Sequence, residues 1–306
     1  MNICPITSLF FGGTQYYLGT TLWLSKPKQA KTIRIRVLPR INNQGKIDMP
    51  SFDSDGVEIV YETFGGGAPV ILCHGFAAHR KQAWMANDWQ GTLMKAGREA
   101  VLFDHRGHGE SEKLYSIEDY SIPIMAGDVL RLMDKLDIAK APIISHSMGA
   151  LITLHLCINH PDRVEAAVLI GIGEHMLKPN RDPKIMAAAL TSKEPWNIED
   201  EAAASFRAFV DSTRSDHEAL AACTQGTLQA LDLDALAKIT VPVLVVGAAQ
   251  DEFSGSVEPL ADAIGGAKHA TIPYTSHHSV LAEALTKDVI FEFLGLPPPE
   301  HYEHSW

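Results

Sequence analysis

The sequence APIISHSMGALITLHLC, residues 141–157, decides the fold of this chain. An apolar run typical of a buried strand leads into Ser145-His146-Ser147-Met148-Gly149, and an apolar stretch of helical length follows. The pattern predicts a strand, a tight turn with Ser147 at its tip, and a helix whose N-terminus points at the serine hydroxyl. The residues two before and two after Ser147 must be small where strand and helix pack closely, and Ser145 and Gly149 are small. Ser145 stands where glycine is usual.

The serine turn alone does not establish a function. A small-x-Ser-x-small pattern occurs by chance about once in a few hundred residues, so a surface serine in a strand–helix turn explains it equally well. The rest of the chain has to supply a base, an acid and oxyanion donors in the right order.

The composition is typical of a globular protein with a sizeable core, since 46% of the 306 residues are hydrophobic and 21% are charged. With a formal net charge of -11 and no Lys/Arg cluster, we expect a small-molecule substrate and neither nucleic acid nor membrane as a partner. The four cysteines form no CxxC pair, so no metal or cofactor is expected. A cytoplasmic monomer or homodimer fits these features.

We divide the chain into three parts. Residues 1–48 form an N-terminal extension that we expect to be poorly ordered, and its apolar stretch Leu9–Leu24 lacks the features of a signal peptide or membrane span. Residues 49–298 form the main domain, and residues 299–306 a C-terminal tail. Met49 is a candidate for the true start of the protein, which N-terminal mass spectrometry of the native protein would test.

From about residue 52, apolar strands alternate with amphipathic helices. The period-two alternation of Val57–Thr63 predicts a half-buried edge strand, and continuous apolar runs predict buried strands. The predicted buried strands are 69–73, 100–104, 143–145, 166–170, 241–246 and 270–272. The predicted helices flanking them are 83–96, 122–136, 257–264 and 279–294. This alternation predicts an α/β fold with a mostly parallel sheet that helices cover on both faces.

The alternation is interrupted after residue 170. Residues 172–239 contain helical stretches near 183–190, 198–212 and 217–231 and no strand pattern, so we predict a short helical cap. Inserted there, the cap lies over the carboxyl ends of the strands, where open α/β sheets bind ligands. Candidate lining residues of an apolar pocket, which are equally well explained as cap core, are Met176, Leu177, Met186, Trp196 and Phe206.

The predicted strand ends carry the candidate oxyanion donors. In His74-Gly75-Phe76, after the strand ending at Cys73, the glycine permits a sharp turn that points the Phe76 amide into the site. The Met148 amide, at the start of the helix after Ser147, is the second candidate donor. A plain turn is the alternative explanation of His74-Gly75.

The candidate acid and base follow two later strands. Asp251 follows the strand at 241–246, with Glu252 as the alternative acid, and a carboxylate there can orient a histidine. His277 follows the last strand, with His278 as the alternative base. The glycine-rich segment Asp104-His105-Arg106-Gly107-His108-Gly109-Glu110-Ser111 suggests a compact loop. A metal site at His105 and His108 lacks a third ligand nearby.

Serine, then acid, then histidine, each after a successive strand, is the chain order of the α/β-hydrolases. Residues from about 52 to 296 resemble a small-cap α/β-hydrolase through His74-Gly75-Phe76, Asp104-x-Arg106-Gly107-x-Gly109-x-Ser111, the Ser147 turn, Gly247-x-x-x-Asp251 and His277. Ser145 and Ser276 stand where the family commonly has glycine, and Ser276 leaves the choice between His277 and His278 open.

The resemblance implies a serine hydrolase that cleaves a carboxylic ester through an acyl-enzyme. It implies Ser147 as the nucleophile, His277 as the base and Asp251 as the acid that orients this base. It also implies the amides of Phe76 and Met148 as the oxyanion donors. The alternative enzymes are a C–C bond hydrolase, an enol-lactonase and a perhydrolase-like relative. An alternative of another class is a non-catalytic binding protein on this fold. A serine nucleophile disfavours epoxide hydrolase and haloalkane dehalogenase chemistry.

Overall fold

The computed structural model describes residues 49–178, 181–227 and 231–299, together with four short strands near the N-terminus. The chain divides into two compact units, residues 1–38 and 39–306. In the first unit, β1 (Leu9–Phe11) and β2 (Thr14–Tyr16) pair antiparallel. In the second, β3 (Arg40–Ile41) pairs antiparallel with β4 (Ile47–Asp48). The predicted disorder of residues 1–48 and the predicted tail at 299–306 fall almost wholly outside the described residues.

An eight-stranded sheet forms the centre of the second unit. Its strands are β5 (Ser51–Asp53), β6 (Glu58–Gly65), β7 (Ala68–Cys73), β8 (Arg98–Phe103), β9 (Ala141–His146), β10 (Val164–Ile170), β11 (Val243–Ala248) and β12 (Lys268–Ile272), in the spatial order β12-β11-β10-β9-β7-β8-β6-β5. All neighbours from β12 to β8 pair in parallel, whereas β6 is antiparallel to both β8 and β5. The predicted fold class is therefore confirmed.

The strand predicted at the edge of the sheet is not at the edge. Residues of the predicted strand Val57–Thr63 belong to β6, which lies between β8 and β5. The three-residue β5 covers the outer side of β6, starting from the pair Ser51 and Val60. So short a strand carries almost no periodicity of its own, and only its pairing with β6 defines it.

Helices cover both faces of this sheet. The α-helices of the described residues, including those that do not lie on a face of the sheet, are α1 (Trp89–Lys95), α2 (Ile122–Lys135), α3 (Met148–Asn159), α4 (Pro183–Thr191), α5 (Glu201–Thr213), α6 (His217–Thr227), α7 (Leu233–Leu236), α8 (Glu258–Ala263) and α9 (Ala284–Phe293). On β7, Ile71 and Cys73 pack into the apolar cluster with α2, α3 and α8, while Val70 and Leu72 pack with α1 and α9. Alternate residues of each central strand therefore face different helical layers, which explains their continuous hydrophobicity.

The helix predicted at 83–96 is broken in two. A π-helical turn at Lys81–Met85 ends before Asp88, which adopts a left-handed conformation with φ of 51°, and α1 begins at Trp89. Trp84 and Trp89 are both fully buried, with ring centroids 5.7 Å apart. In one continuous helix, residues five apart point about 140° away from each other. The break lets both indoles reach the same core.

The helices α4, α5 and α6 lie between β10 and β11 in the chain and have an apolar cluster of their own. Ala187 and Leu190 of α4, Val210 of α5 and Leu220 of α6 are buried together with Ala77 from the loop after β7. These helices are thus packed against the carboxyl end of the central strands. Within the part of the chain that the structure describes, no helix is both long and apolar enough to cross a membrane.

Candidate active site

Ser147 occupies a strained turn between β9 and α3. Its φ of 51° and ψ of -116° lie in a region that side-chain-bearing residues rarely adopt. Its amide donates to the carbonyl of Ile170 at 2.8 Å, which ties the turn to the neighbouring strand β10. Strain of this kind persists only where the surrounding structure enforces it, and it points the hydroxyl away from the sheet.

Gly149 and Ser145, the two small residues on either side of Ser147, are small for different structural reasons. A Cβ at Gly149 would lie 2.4 Å from the carbonyl oxygen of Cys73, so α3 packs directly against the end of β7. Ser145 is fully buried, and its hydroxyl donates to the carbonyl of Val168 at 2.7 Å. A serine is tolerated at this position because β10 satisfies its hydroxyl.

A chain of hydrogen bonds connects Ser147, His277 and Asp251. The Ser147 Oγ lies 3.1 Å from His277 Nε2, and the His277 Nδ1 lies 2.8 Å from Asp251 Oδ2. The other Asp251 oxygen accepts from the amides of Phe253 and Ser254 at 2.9 and 3.1 Å. Burial alone would raise the pKa of Asp251, but the hydrogen bonds from His277 and Ser254 lower it to about 2. The carboxylate is therefore ionised at neutral pH.

The alternative acid Glu252 and the alternative base His278 do not take part in this hydrogen-bond chain. Glu252 is exposed, whereas Asp251 is buried beside His277. The ring of His278 stacks on Phe209 with a centroid distance of 4.6 Å. His277, not His278, thus lies within hydrogen-bond reach of both the serine and the acid.

The sequence interpretation assigned no role to His146. Its ring is 3% exposed, and its Nε2 lies 2.8 Å from the backbone carbonyl of His277, to which it donates. Burial and the neighbouring His277 hold the pKa of His146 well below its usual value, so it is neutral. This hydrogen bond connects the turn that carries Ser147 to the loop that carries His277. Only the folded chain brings the two together, so no local signal could have revealed it.

The loop after β7 lies directly against the serine turn. A Cβ at Gly75 would lie 2.8 Å from His146 Nδ1 and 3.1 Å from Ser147 Cβ, so the backbone there has room for glycine only. Phe76 and Met148 both line the same cavity as Ser147. Among the residues that the structure describes, no hydrogen-bond partner engages the amide of either one. Neither amide is therefore committed to a partner within those residues.

A cavity of about 120 Å³ opens above Ser147, His277 and His278. Its walls are largely apolar and include Phe76, Leu151, Met176, Met186, Phe206 and Phe209. Three of the five residues proposed from the sequence, Met176, Met186 and Phe206, line it. Leu177 packs against the main core instead, and Trp196 is 75% exposed because it belongs to a short surface turn, Pro195–Asn197.

Several lining residues were not identified from the sequence. Phe253 and Ser254 lie two and three residues after Asp251 and line the cavity, so their position near a candidate acid was an available signal. Arg181 also lines it, with its guanidinium carbon 4.1 Å from the centroid of the Phe253 ring. Nothing local to Arg181 distinguishes it from an ordinary surface arginine.

The glycine-rich loop at 104–111 is a structural element. Asp104 accepts from the amides of Arg80 and Glu110 at 2.7 and 2.8 Å, and it pairs with the fully buried Arg80 side chain. Arg106 forms a buried ion pair with Asp128 at 2.7 Å. These contacts hold the loop after β8 in place, and none of its carboxylates lines the cavity.

Two histidine groups could be considered for metal binding. Ring nitrogens of His146, His277 and His278 lie within 4.8 Å of one another. However, both nitrogens of His277 already contact Ser147 and Asp251, and His146 Nε2 donates to a carbonyl. A metal here would have to break the hydrogen-bond chain. His105 and His108 are fully buried, and burial lowers the pKa of His108 to about 3.

A comparison with known proteins identifies the fold family of this chain. A family model described as the alpha/beta hydrolase fold matches residues 68–230, which is more than half of the chain. The bifunctional epoxide hydrolase 2 of Sus scrofa is 30% identical over 129 residues, and epoxide hydrolase 2 of Siraitia grosvenorii is 29% identical over 143 residues. The matches cover 42% and 46% of this chain but 22% and 42% of those relatives, so the chain spans less than half of their length.

A solved structure matches over a greater length. The enol-lactonase from Burkholderia xenovorans LB400 is 26% identical with a TM-score of 0.64, and the match covers 80% of this chain and 100% of that chain. An esterase from Exiguobacterium antarcticum superposes with a TM-score of 0.65 at 21% identity, covering 78% of this chain and 97% of that one, a likeness of fold alone.

Proposed function

Because this chain belongs to the alpha/beta hydrolase fold family, we propose that it is a serine hydrolase that cleaves a carboxylic ester or a similar acyl bond of a small molecule. The observation that carries the proposal is the hydrogen-bond chain from Ser147 through His277 to Asp251 at the base of the cavity. A serine hydroxyl is a weak nucleophile near its normal pKa and needs an adjacent base, which His277 supplies.

In the first half-reaction, Ser147 Oγ attacks the substrate carbonyl while His277 Nε2 accepts its proton, at a starting separation of 3.1 Å. The C–O bond to the alcohol then breaks, and His277 gives the proton to the leaving oxygen. The products of this step are a free alcohol and an acyl group esterified to Ser147.

Asp251 orients His277 and stabilises its charged form. Its Oδ2 accepts from His277 Nδ1, which fixes the tautomer that leaves Nε2 free to accept the serine proton. Two backbone amides hold the other Asp251 oxygen, so the carboxylate cannot turn away from the imidazole. The lowered pKa of Asp251 keeps it ionised through the cycle.

The amides of Phe76 and Met148 are the proposed oxyanion donors. Negative charge develops on the carbonyl oxygen during attack, and preorganised N–H groups stabilise that charge by about 3–4 kcal/mol per donor. The proposal is supported by the close packing of Gly75 on Ser147 and by the position of Met148 at the first turn of α3. In the second half-reaction, His277 activates a water that releases the acid from Ser147.

The relatives named epoxide hydrolases suggest a different reaction, which the chemistry of Ser147 disfavours. A serine oxygen that opened an epoxide would form an ether, and a water activated by His277 could not cleave it. An acyl substrate forms an ester with the same oxygen, which water does cleave. We therefore retain acyl transfer to water as the reaction class.

A lactone is the second candidate substrate, since the enol-lactonase is similar over most of this chain. A lactone uses the same steps, except that the alcohol stays attached to the acyl group. C–C bond cleavage and perhydrolysis are further alternatives that share the triad and differ in the cavity.

A fluorophosphonate probe tests the nucleophile directly. We expect one adduct on Ser147, none in Ser147→Ala, and normal labelling of Ser116→Ala, which removes an exposed serine outside the cavity lining. An unlabelled but folded protein would contradict the proposal and favour the non-catalytic binding protein. A panel of p-nitrophenyl esters, lactones and ring-cleavage diketones, with Ser147→Ala as blank, then identifies the scissile bond.

A further inference from the structure

The cavity above Ser147 contains one permanent charge among its described lining residues, the guanidinium of Arg181. The remaining walls are mostly Phe, Met, Leu and Ile side chains, and the protein as a whole carries a net charge of -11. A charged group in apolar surroundings costs free energy unless it has a partner. Arg181 is half-buried, and its presence among these apolar walls calls for a specific explanation.

Arg181 has no acceptor for its hydrogen-bond donors within residues 49–178, 181–227 and 231–299. A guanidinium presents five N–H donors, and the contact with the face of Phe253 satisfies none of them. The adjacent carboxylate of Asp182 accepts from the amide of Lys184 at 2.8 Å and so caps α4. Asp251, which acts on Arg181 electrostatically, is already held by His277 and two amides.

The guanidinium lies near the reacting groups. Its carbon is 4.1 Å from the Phe253 centroid, and that centroid is 5.3 Å from the His277 ring. The distance from guanidinium to imidazole therefore cannot exceed the sum of these two lengths. A short acyl chain spans such a distance when its carbonyl lies at Ser147.

A second polar group in the same cavity also lacks a partner. Thr224 lines the cavity from α6, is 5% exposed, and its hydroxyl makes no hydrogen bond with any described residue. Its oxygen is shielded from the cavity, so of these two polar groups Arg181 is the one that can contact a ligand.

We propose that Arg181 binds a carboxylate of the substrate, so that the enzyme acts on acyl compounds bearing a second, anionic carboxyl group at the far end of a short aliphatic chain. This inference rests on the proposed function for its account of turnover. A guanidinium binds a carboxylate with two parallel hydrogen bonds, and the apolar walls strengthen that pairing. The aliphatic chain between the two ends contacts the apolar walls.

Matched ester pairs test the inference. Mono-p-nitrophenyl glutarate, adipate and pimelate each differ from p-nitrophenyl pentanoate, hexanoate and heptanoate by the terminal carboxylate alone. We expect kcat/KM of the wild type to favour at least one carboxylate ester by about 10–100-fold, the usual contribution of a charged hydrogen bond. In Arg181→Gln the ratio of kcat/KM within each ester pair should fall towards one, while Arg181→Lys keeps part of the preference.

Lys178→Gln is the matched control, because it removes an exposed positive charge three residues from Arg181 outside the cavity lining. It should leave the preference unchanged. If Arg181→Gln lowers activity on both members of each pair equally, or if the wild type shows no preference, the inference is overturned while the proposed function stands.

Binding to an inactive protein separates the two proposals. Calorimetry with monomethyl adipate on Ser147→Ala should show binding that the double variant Ser147→Ala/Arg181→Gln loses by about tenfold or more. Equal binding by the two proteins would overturn the anion site. Retained binding together with no turnover of any ester by the wild type would overturn the hydrolase proposal and leave the anion site standing.

Discussion

Two groups of three histidines lie at the carboxyl ends of the strands, and only one of them includes a histidine between a serine and a carboxylate. The inner cluster consists of His74, His105 and His108, with ring centroids 4.5 to 6.5 Å apart. The site cluster consists of His146, His277 and His278, with centroids 4.8 to 6.1 Å apart. Residue type and spacing are alike, so the difference in role comes from the surroundings.

The inner cluster fastens two loops together. The amide of His105 donates to His74 Nε2 at 3.0 Å, which leaves His74 Nδ1 as the donor to the Gly75 carbonyl at 2.8 Å. His74 thereby connects the loop after β8 to the loop that carries Phe76. Burial lowers the pKa of His74 to about 4, so the ring is neutral and its tautomer fixed.

The site cluster differs because one of its members contacts a carboxylate and a hydroxyl. His277 lies between Asp251 and Ser147 and is partly open to the cavity. An imidazole can transfer a proton only when one nitrogen faces the reacting group and the other has a partner that stabilises its charge. The difference between the two clusters is thus decided by partners that follow distant strands.

The largest expected effect separates the two clusters by activity. His277→Ala removes the proposed base from Ser147, so kcat should fall by on the order of 10⁴-fold or more while the midpoint of thermal unfolding changes little. Steady-state kinetics and calorimetry on the same preparation measure both. A variant that keeps more than a tenth of the wild-type kcat would show that His277 is not the base.

The second effect separates the clusters by stability. His74→Leu leaves the His105 amide and the Gly75 carbonyl without their buried partner, and the free energy of unfolding should fall by about 2–3 kcal/mol. Urea denaturation measures this loss. If His74→Leu is as stable as the wild type, the inner cluster does not fasten the two loops.

The third effect is smaller and concerns the connection between Ser147 and His277. His146→Phe removes the donor to the His277 carbonyl, so we expect kcat to fall by about tenfold because the base is held less firmly, with KM nearly unchanged. His155→Phe, on the outer part of α3, is the control and should keep full activity. An equal kcat in His146→Phe and the wild type would contradict the positioning role.

The smallest effect at neutral pH is expected for His105→Phe. Neither ring nitrogen of His105 has a partner among the described residues, so an apolar ring of similar size should change the free energy of unfolding by less than about 1 kcal/mol at pH 7.5.

Lowering the pH should shift the difference in the free energy of unfolding in favour of His105→Phe. A histidine whose pKa falls from 6.5 to about 4 on folding, as for His74, stabilises the folded state above pH 6.5. That contribution is lost as the pH falls from 6.5 towards 4, since the unfolded chain then binds the proton, by up to about 1.4 kcal/mol per pH unit for each histidine. His105→Phe removes one such group and should lose stability less steeply. Parallel curves for both proteins between pH 7 and 4 would refute this account.

Local patterns in the sequence carried much of the fold. Continuous apolar runs predicted the parallel strands because a strand buried on both faces has no polar face to alternate with. They did not predict the break at Asp88, which depends on burying Trp84 and Trp89 in one core, or the edge strand β5, which exists only through pairing with β6.

The sequence by itself determined the order in which Ser147, Asp251 and His277 follow their strands, because parallel strands end at a common edge whatever their packing. Tertiary structure decided which neighbour faces which: His277 rather than His278 at the serine, Asp251 rather than Glu252 at the imidazole, and His146 against the His277 backbone. It also decided that Arg181 faces the cavity. Such choices depend on side-chain directions and contacts between residues far apart in the chain, which no local pattern encodes.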